Sequence, residues 1–258
     1  MKTKKDTFYI YGKKPVEEQL MRNPKNVVRI FLSDAILSSS QEFALLKNYA
    51  KQHNIPFNTI SKHKMKEYVG DVNNQGILAL VNGYEYMEFD AWEETLDIEK
   101  LPAVLILDKI EDTHNYGAII RTAAAVGVSA IFVAKDQQAP VNGTVFKTSA
   151  GAVLHVPIVR VSNINQTIMK LQNLKFWVAA VDMDETGKNT IWNQNYDTAM
   201  AFVVGSEGKG ISEKTLEHSD FVISIPMSSE VESLNVSVAA AVTLYEWKRQ
   251  ITKILNNG

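Results

Sequence analysis

The sequence of 258 residues contains no cysteine, and this absence excludes several kinds of chemistry. Without thiols the chain forms no disulfides, has no thiolate nucleophile and offers no cysteine ligand to a metal, as is typical of proteins from a reducing compartment. No apolar run approaches the roughly 18 residues of a membrane-spanning helix. The basic N-terminus, residues 1–14, lacks the apolar core of a signal peptide. These absences predict a soluble, cytoplasmic protein.

Three familiar ligand motifs are also missing. The phosphate-binding pattern G-x4-G-K-[S/T] and the dinucleotide-binding pattern G-x-G-x-x-G do not occur. The histidines show no spacing of the H-E-x-x-H kind, so no metal site is predicted. An unrelated α/β enzyme that uses nucleotides stays open as an alternative, but the missing phosphate loops disfavour it.

A large net charge of one sign is lacking as well, since the formal total is −2. The distribution is nevertheless uneven. Residues 1–90 hold 13 Lys and Arg against 10 Asp and Glu, whereas residues 91–258 hold 14 against 19. A basic first part of the chain is suited to contacts with nucleic-acid phosphates. From charge alone, a merely solvated surface explains the asymmetry equally well.

Residues 8–82 show the pattern of a small α/β unit. A helix is predicted to open at Pro15, a strand to cover 27–32, an amphipathic helix 43–52 and a closing strand 77–81. The spacing of apolar residues in these segments favours a unit with its own core.

A basic cluster in this unit is a candidate RNA-binding site. Lys62, Lys64 and Lys66 stand close together in the chain, with Tyr68 nearby. Basic groups beside aromatic rings are what RNA-binding surfaces use, through phosphate contact and base stacking. The alternative interpretation is a solvated helix end.

Residues 83–102 break the composition of the chain. This stretch is acidic, has no strong periodic pattern and contains Pro102 near its end. It is predicted to be a linker, with some local packing by Tyr86, Phe89 and Trp92.

From Ala103 onward, strand and helix patterns alternate. Strands are predicted at 103–107, 130–134, 153–159, 176–181, 201–204 and 221–225. Their continuous apolar runs are typical of a parallel sheet that is buried on both faces. Ligands of such sheets bind beyond the carboxyl ends of the strands. We therefore expect a site where the loops after Val204, after Ile225 and around Leu234 meet.

Three stretches of this second part carry residue motifs that are more specific than the spacing of their apolar residues. They are D-x3-D-x2-N-x-G-x3-R-T-A-x3-G at 108–127, FVVGSEGKG at 202–210 and IPM-x6-LNVSVA at 225–239. Together they resemble the three signatures of the SpoU-type (TrmH-like) RNA 2′-O-ribose methyltransferases, a family of the SPOUT superfamily. Thr113 stands where that family usually has proline. A shorter stretch, 148–152, resembles a family element near the cofactor, although a helix C-terminus explains it equally well.

The resemblance implies a domain organisation and a reaction. It implies an RNA-binding domain similar to ribosomal protein L30e over 1–82, the linker 83–102, and an α/β SPOUT domain with a trefoil knot over 103–258. In the first domain, Asn74-Gln75-Gly76 stands where relatives usually have His-Gln-Gly. The implied reaction is methyl transfer from S-adenosylmethionine to a ribose 2′-OH, most similar to that on a guanosine of 23S rRNA. The alternatives are the same chemistry on tRNA and a non-catalytic RNA-binding protein.

The resemblance also implies site residues and a homodimer formed through the C-terminal domain. The implied catalytic residues are Asn115, Arg121, Glu207, Ser233 and Asn235, and the expected cofactor-binding residues are Gly205, Ile225, Met227 and Leu234. For Asn115, Ser233 and Asn235, the non-catalytic alternative is a helix N-cap. Arginine is a poor base because its guanidinium stays protonated at physiological pH. We therefore expect Arg121 to bind phosphate and stabilise charge on the 2′-oxygen.

Overall fold

A computed structural model describes residues 7–36, 41–183, 189–206, 208–228, 230 and 233–257. The chain divides into two compact units. Unit 1 comprises Met1–Glu85 and Val141–His155, and unit 2 comprises Tyr86–Pro140 and Val156–Gly258. In the part of the chain so described, no helix has the length and apolar character needed to cross a membrane.

The helices and strands follow one another through both units. The strands are β1 (Phe8–Tyr11), β2 (Val27–Ser33), β3 (Phe57–Ile60), β4 (Ile77–Val81), β5 (Ala103–Asp108), β6 (Ala130–Ala134), β7 (Ile158–Val161), β8 (Trp177–Val181), β9 (Met200–Gly205) and β10 (Phe221–Ile223). The helices are α1 (Lys13–Arg22), α2 (Gln41–Gln52), α3 (Lys62–Val69), α4 (Phe89–Glu93), α5 (Thr113–Val126), α6 (Gly143–Thr148), α7 (Ile164–Asn173), α8 (Glu213–His218) and α9 (Val236–Asn257).

Unit 1 is built on a four-stranded sheet in the order β1-β4-β2-β3. Strand β4 is antiparallel to both β1 and β2, and β3 is parallel to β2. One of its apolar clusters is centred on Tyr11, Phe31, Met65 and Leu78. Helix α6 belongs to this unit although it comes much later in the chain.

Unit 2 contains a six-stranded sheet in the order β10-β8-β9-β5-β6-β7, and all its strand pairs are parallel. Strand β5 lies near its centre, and every one of its residues is buried. A strand covered on both faces needs a continuous apolar run, which is why the sequence pattern was informative. The α/β parallel-sheet class is thus confirmed. Strand order alone does not test the threading of a knot, which stays a prediction.

The segment predicted as a linker contains part of the core of unit 2. Phe89 and Trp92 of α4 are buried there and pack against Phe132. The Trp92 indole N–H donates a hydrogen bond to the Ser129 hydroxyl at 3.0 Å. A large aromatic pair of this kind stabilises a core through apolar burial and edge-to-face contact.

Two sequence predictions need correction. The strand expected at 153–159 begins only at Ile158, because Gly151 has a left-handed backbone and the following residues form a short 3-10 turn. The helical spacing of apolar residues over 234–245 also predicts a helix that is apolar nearly all round and therefore buried, but α9 exposes Val238 and Tyr245 by 46% and 56%. These two residues lie seven apart and therefore project from the same side of the helix.

Candidate functional site

A cavity of about 520 Å³ lies in unit 2 beyond the carboxyl ends of β8, β9 and β10. Its lining comes from the loops after β8 and β9 and from the connection between β10 and α9. All four residues predicted to bind the cofactor line the cavity: Gly205, Ile225, Met227 and Leu234. Two of the predicted catalytic residues, Ser233 and Asn235, line it as well. The position agrees with the general rule for ligand sites in parallel sheets.

Gly205 shapes this cavity through a close backbone approach. A Cβ atom at this position would lie 2.1 Å from the Gly210 carbonyl carbon and 2.3 Å from the Ile211 nitrogen. The loop between Gly205 and Ile211 closes on itself, because Ser206 and Gly210 exchange backbone hydrogen bonds of 3.1 and 2.9 Å. Any side chain at position 205 would therefore displace the loop.

A buried carboxylate holds the far end of the same loop. Asp108, the first residue of the first signature, accepts a hydrogen bond from the Ser212 N–H at 3.0 Å. It pairs in register with Gly205 across β5 and β9. The first and second signatures are thus neighbours in the sheet through the Asp108–Gly205 pair, and the hydrogen bond fixes the residues that follow the second signature. Glu207, the predicted acid of this loop, lies outside the described residues.

The first and third signatures meet in an asparagine pair. The Asn235 side-chain NH₂ donates a hydrogen bond to the Asn115 side-chain oxygen at 3.0 Å. The Asn235 oxygen in turn accepts bonds from the N–H and hydroxyl of Ser237, which makes Asn235 the N-cap of α9 as well as a cavity residue. The N-cap alternative for Asn115 is wrong, because Asp112 caps α5 by accepting from the Asn115 N–H.

Arg121 does not line the cavity of its own chain. It lies on α5, six residues beyond Asn115, and is exposed. Six helical residues correspond to about 9 Å along the axis and a rotation of about 120° between the two side chains. No described residue forms a hydrogen bond or an ion pair with its guanidinium. Its predicted catalytic role stays a prediction.

Sequence reasoning missed a carboxylate in the cavity. Asp182 and Met183 follow β8 and line the cavity, and Asp182 is the charged side chain among the described lining residues. One Asp182 carboxylate oxygen accepts the Met183 N–H at 2.7 Å, and the other faces Gly210. Its place at the end of a parallel strand was the available signal. Within the described ranges, no group of His, Asp and Glu side chains could hold a metal ion.

The stretch 148–152 does not line the cavity, contrary to the expectation that it lies near the cofactor. It belongs to unit 1, where it packs against α1. A Cβ atom on Gly151 would lie 2.8 Å from the Glu18 Cβ and 3.4 Å from the Pro15 Cα. The small residues of this stretch therefore serve close packing within unit 1.

The predicted RNA-binding lysines lie on α3 at the surface of unit 1, and two of them have acidic partners. Lys64 forms an ion pair with Glu67, and Lys66 forms one with Asp71 at 2.8 Å. The Tyr68 ring stacks on the Tyr9 ring with centroids 4.9 Å apart, and the Lys64 ammonium lies 5.4 Å from the Tyr68 centroid.

Comparison with known families identifies this arrangement. The SpoU rRNA Methylase family matches residues 102–245, and the family of RNA 2′-O ribose methyltransferase substrate-binding domains matches residues 9–87. The chain belongs to the SpoU rRNA Methylase family. It is therefore an RNA methyltransferase.

Relatives and solved structures agree with this membership. A Staphylococcus aureus protein assigned by its name to the TrmH family of tRNA/rRNA methyltransferases is 38% identical over 239 residues, which are 92% of this chain and 94% of the relative. The SpoU methyltransferase AviRb from Streptomyces viridochromogenes, solved in complex with the cofactor AdoMet, is 20% identical with a TM-score of 0.77 and coverages of 96% and 91%. An rRNA methyltransferase from Sinorhizobium meliloti gives a TM-score of 0.78 at 19% identity, with coverages of 95% and 88%. The two structures share the fold of this chain.

Proposed function

We propose that this protein transfers a methyl group from S-adenosylmethionine to a ribose 2′-OH in RNA, with a guanosine of 23S rRNA as the substrate. The observation that carries the proposal is one cavity lined by residues of the second and third signatures, to which the first signature is joined by a hydrogen bond. Asn115, Gly205 and Asn235 come from the first, second and third signature, and the Asn115–Asn235 hydrogen bond joins two of them directly. We expect the reaction to take place in the cytoplasm.

The cavity fits the proposed cofactor. Its volume of about 520 Å³ lies within the usual range of roughly 300–1,000 Å³ for small-molecule sites. Ile225, Met227 and Leu234 provide apolar walls suited to adenine, and the Gly205 backbone allows close approach. The Asp182 carboxylate offers a hydrogen-bond acceptor at the edge. S-adenosylmethionine supplies an already activated methyl group, so the protein has mainly to position the ribose.

The chain's own polar groups would then position and activate the 2′-oxygen. The Arg121 guanidinium can bind an RNA phosphate and the oxygen together, and it stabilises the charge that builds up as the proton leaves to water or phosphate. Asn115 and Asn235 hold each other's amide groups in one orientation. Together with Ser233 and Glu207, they would orient the ribose and Arg121.

Unit 1 would supply affinity for RNA rather than chemistry. We propose that residues 1–82 form the RNA-binding domain, 83–102 a connection and 103–258 the methyltransferase domain. Lys62, Lys64 and Lys66 would contact phosphates, and the stacked pair of Tyr9 and Tyr68 offers an aromatic surface beside them.

We also propose a homodimer formed through the methyltransferase domain. Helix α9 packs against α5 and still exposes Val238 and Tyr245, which is more apolar surface than a helix needs for one core face. Arg121 does not line the cavity of its own chain, so a second copy that brings its Arg121 would complete the site.

Mixing two impaired variants tests this arrangement, at an S-adenosylmethionine concentration too low to saturate Gly205→Ala. If each site takes Arg121 from the partner copy, Arg121→Ala and Gly205→Ala subunits regain methylation when they exchange into mixed dimers, since one of the two sites is then intact. No recovery, despite mixed dimers seen by native mass spectrometry, contradicts a shared site. A monomer in sedimentation at micromolar concentration contradicts the dimer.

The reaction itself is tested with methyl-labelled S-adenosylmethionine and purified RNA. The protein is incubated with a 23S rRNA transcript or with bulk tRNA, and the RNA is digested to nucleosides. The expected product is 2′-O-methylguanosine from the 23S rRNA transcript. Label on a base contradicts the ribose assignment, and label confined to tRNA replaces the proposed substrate.

A further inference from the structure

We propose that Lys147 and Gln75 form a binding site for a phosphate group of the RNA substrate, an inference that rests on the proposed function. Two sequence features that the proposed reaction does not use meet at this point of unit 1. One is the turn Asn74-Gln75-Gly76, and the other is α6, which leads into the stretch 148–152. The Lys147 ammonium donates a hydrogen bond to the Gln75 side-chain oxygen at 3.0 Å.

The backbone of the turn fixes the position of Gln75. The Asn74 side-chain oxygen accepts the Gly76 N–H at 2.9 Å, and the Asn74 carbonyl accepts the Ile77 N–H at 3.1 Å. Gln75 itself has a φ of +54°, a left-handed conformation that is uncommon outside glycine. The turn is therefore a defined structure that directs one amide side chain.

The hydrogen bonds around Gln75 also fix which way its amide faces. Its oxygen accepts from both the Lys147 ammonium and the Lys13 backbone N–H, each at 3.0 Å. Both partners are donors, so the oxygen and not the NH₂ must face them. The Gln75 NH₂ consequently points away as a second donor beside Lys147.

Gly12 leaves the space that the site needs. Its φ is +93°, and a Cβ atom there would lie 2.6 Å from the Lys147 ammonium and 2.9 Å from the Gln75 oxygen. Gly12 is also the N-cap of α1 and provides no side-chain acceptor. The positive end of the α1 dipole thus adds to the Lys147 charge at this point.

The charge of Lys147 is not compensated by a neighbouring acid. Lys14, Lys64 and Lys66 each have a carboxylate within 4 Å, whereas among the described residues Lys147 has none. It is half-buried, and burial lowers the pKa of its ammonium. One of its three N–H groups is used on Gln75, so two remain for an anion. A bound phosphate would supply the missing counter-charge.

The surroundings favour RNA as the source of that phosphate. The Tyr11 hydroxyl lies 3.4 Å from the Thr144 hydroxyl, one helical turn from Lys147. Tyr9 is two residues from Tyr11 on β1, so both rings lie on the same face of the strand. The stacked Tyr9–Tyr68 pair therefore lies on the same strand face as Tyr11, whose hydroxyl reaches the helix that carries Lys147, so that aromatic rings accompany the phosphate donors.

Two substitutions at position 147 test the site. Lys147→Met removes the charge and keeps the length of the side chain, whereas Lys147→Arg keeps the charge. Lys47→Met, at an exposed lysine of the same unit, is the matched control. Binding of a 23S rRNA transcript and of bulk tRNA is measured over a series of salt concentrations, together with S-adenosylmethionine affinity and the melting temperature.

We expect Lys147→Met to weaken RNA binding about tenfold. Its log–log salt slope should fall by about 0.7–0.9, the value for one lost phosphate contact. Lys147→Arg and Lys47→Met should keep the wild-type slope, and cofactor affinity should not change. An unchanged slope in Lys147→Met overturns the proposal, as does a loss of affinity that only accompanies a lower melting temperature.

Lysine acylation followed by mass spectrometry provides a second measurement that needs no variant. RNA should protect Lys147 and leave Lys47 as reactive as before, and equal labelling with and without RNA overturns the site. The two levels of inference fail differently. Wild-type protein that methylates neither RNA contradicts the proposed function. Wild-type protein that is active, together with a Lys147→Met variant that binds RNA with the same affinity and salt slope, contradicts this site alone.

Discussion

The cavity of unit 2 and the polar surface of unit 1 are built by different means. The cavity depends on backbone geometry, because strand ends surround it and Gly205 touches the Gly210–Ile211 backbone. The surface of unit 1 depends on individual side-chain pairs such as Lys64–Glu67 and Glu18–His155. Added atoms should therefore strongly reduce cofactor binding in the cavity, whereas lost or exchanged charges should change RNA binding at the surface only in small steps.

The largest effect is expected for Arg121, which is a charged side chain but is proposed to act at the cavity, a site formed mainly by backbone. Arg121→Ala and Arg121→Lys should each lower the single-turnover methylation rate by about 10²–10³, the usual loss for one preorganised donor. Lysine should recover little, because an ammonium cannot make the bidentate contact of a guanidinium. Cofactor affinity should stay within a few fold.

The melting temperatures of the same variants distinguish a catalytic role of Arg121 from a purely structural one. Its exposure and lack of described partners predict an unchanged melting temperature. An arginine that only supports α5 would instead give a lower melting temperature with partial activity. A near-native rate in Arg121→Lys would show that a point charge is enough.

The next effect in size tests the cavity directly. Gly205→Ala adds a single carbon that would meet the Gly210 backbone at 2.1 Å, so the loop must move. We expect S-adenosylmethionine affinity to fall about 10- to 100-fold, equivalent to an overpacking cost of roughly 1–3 kcal/mol. Gly127→Asn is the control, since a Cβ atom there meets nothing within 4 Å and asparagine tolerates a left-handed backbone. Calorimetric titration that gives wild-type affinity for Gly205→Ala contradicts this view of the cavity.

Local patterns predicted the elements of this fold better than the contacts between them. The buried run of β5 follows from composition alone and is confirmed, and Gly127 ends α5 in a left-handed conformation that glycine favours. The Asn115–Asn235 hydrogen bond joins residues 120 positions apart, and only the family resemblance placed both in one site. No periodic pattern could show that α6 packs in unit 1, because helical spacing identifies an apolar face but not its partner.

The charge pairs of α3 illustrate a signal that was available and was not used. Lys64 and Glu67 stand at i and i+3 of one helix, a spacing at which opposite charges meet. The sequence prediction for this cluster rests on its lysines and Tyr68 and leaves Glu67 out. Asp182 was missed for another reason: an isolated carboxylate has no motif, and its position becomes informative only when β8 is known to end at the cavity.

A smaller effect should appear in unit 1 when Glu18 is changed. Burial raises the pKa of the Glu18 carboxyl, but the hydrogen bonds from His155 and Lys14 together lower it by more than burial raises it. The pKa of Glu18 is therefore below its ordinary value. A carboxyl with a lowered folded pKa stabilises the protein fully above its unfolded pKa, and this contribution is lost as the pH falls through the folded pKa. Glu18→Gln should therefore lower the free energy of unfolding at pH 7 by about 1–2 kcal/mol.

Denaturant unfolding of both proteins at several pH values measures this linkage. The difference between wild type and Glu18→Gln should shrink as the pH is lowered below about 4.5, the ordinary range of a glutamate. A difference that is constant over the whole pH range would mean that the variant acts through packing against Gly151 rather than through charge.

The smallest effect is expected for the lysines of α3, where the surface of unit 1 is already partly neutralised. The ion pairs of Lys64 with Glu67 and of Lys66 with Asp71 are exposed, and each lysine lowers the pKa of its partner. An RNA phosphate must compete with these acids for the lysines. Each phosphate contact therefore adds less RNA affinity than a contact with an unpaired lysine would. Exchange is still feasible, because solvent screens exposed ion pairs and leaves them weak.

Replacing Lys62, Lys64 and Lys66 by alanine should therefore weaken RNA binding only a few fold. Its salt slope should fall by less than the roughly 2 that three full phosphate contacts to single-stranded RNA would give. The matched variant Glu67→Gln/Asp71→Asn removes the competing acids and keeps the lysines, so it should raise RNA affinity. If the triple variant leaves both affinity and slope unchanged, α3 ends in a merely solvated cluster. If its slope falls by the full amount, the ion pairs do not compete with RNA, and Lys147 is no longer distinguished by its lack of an acidic partner.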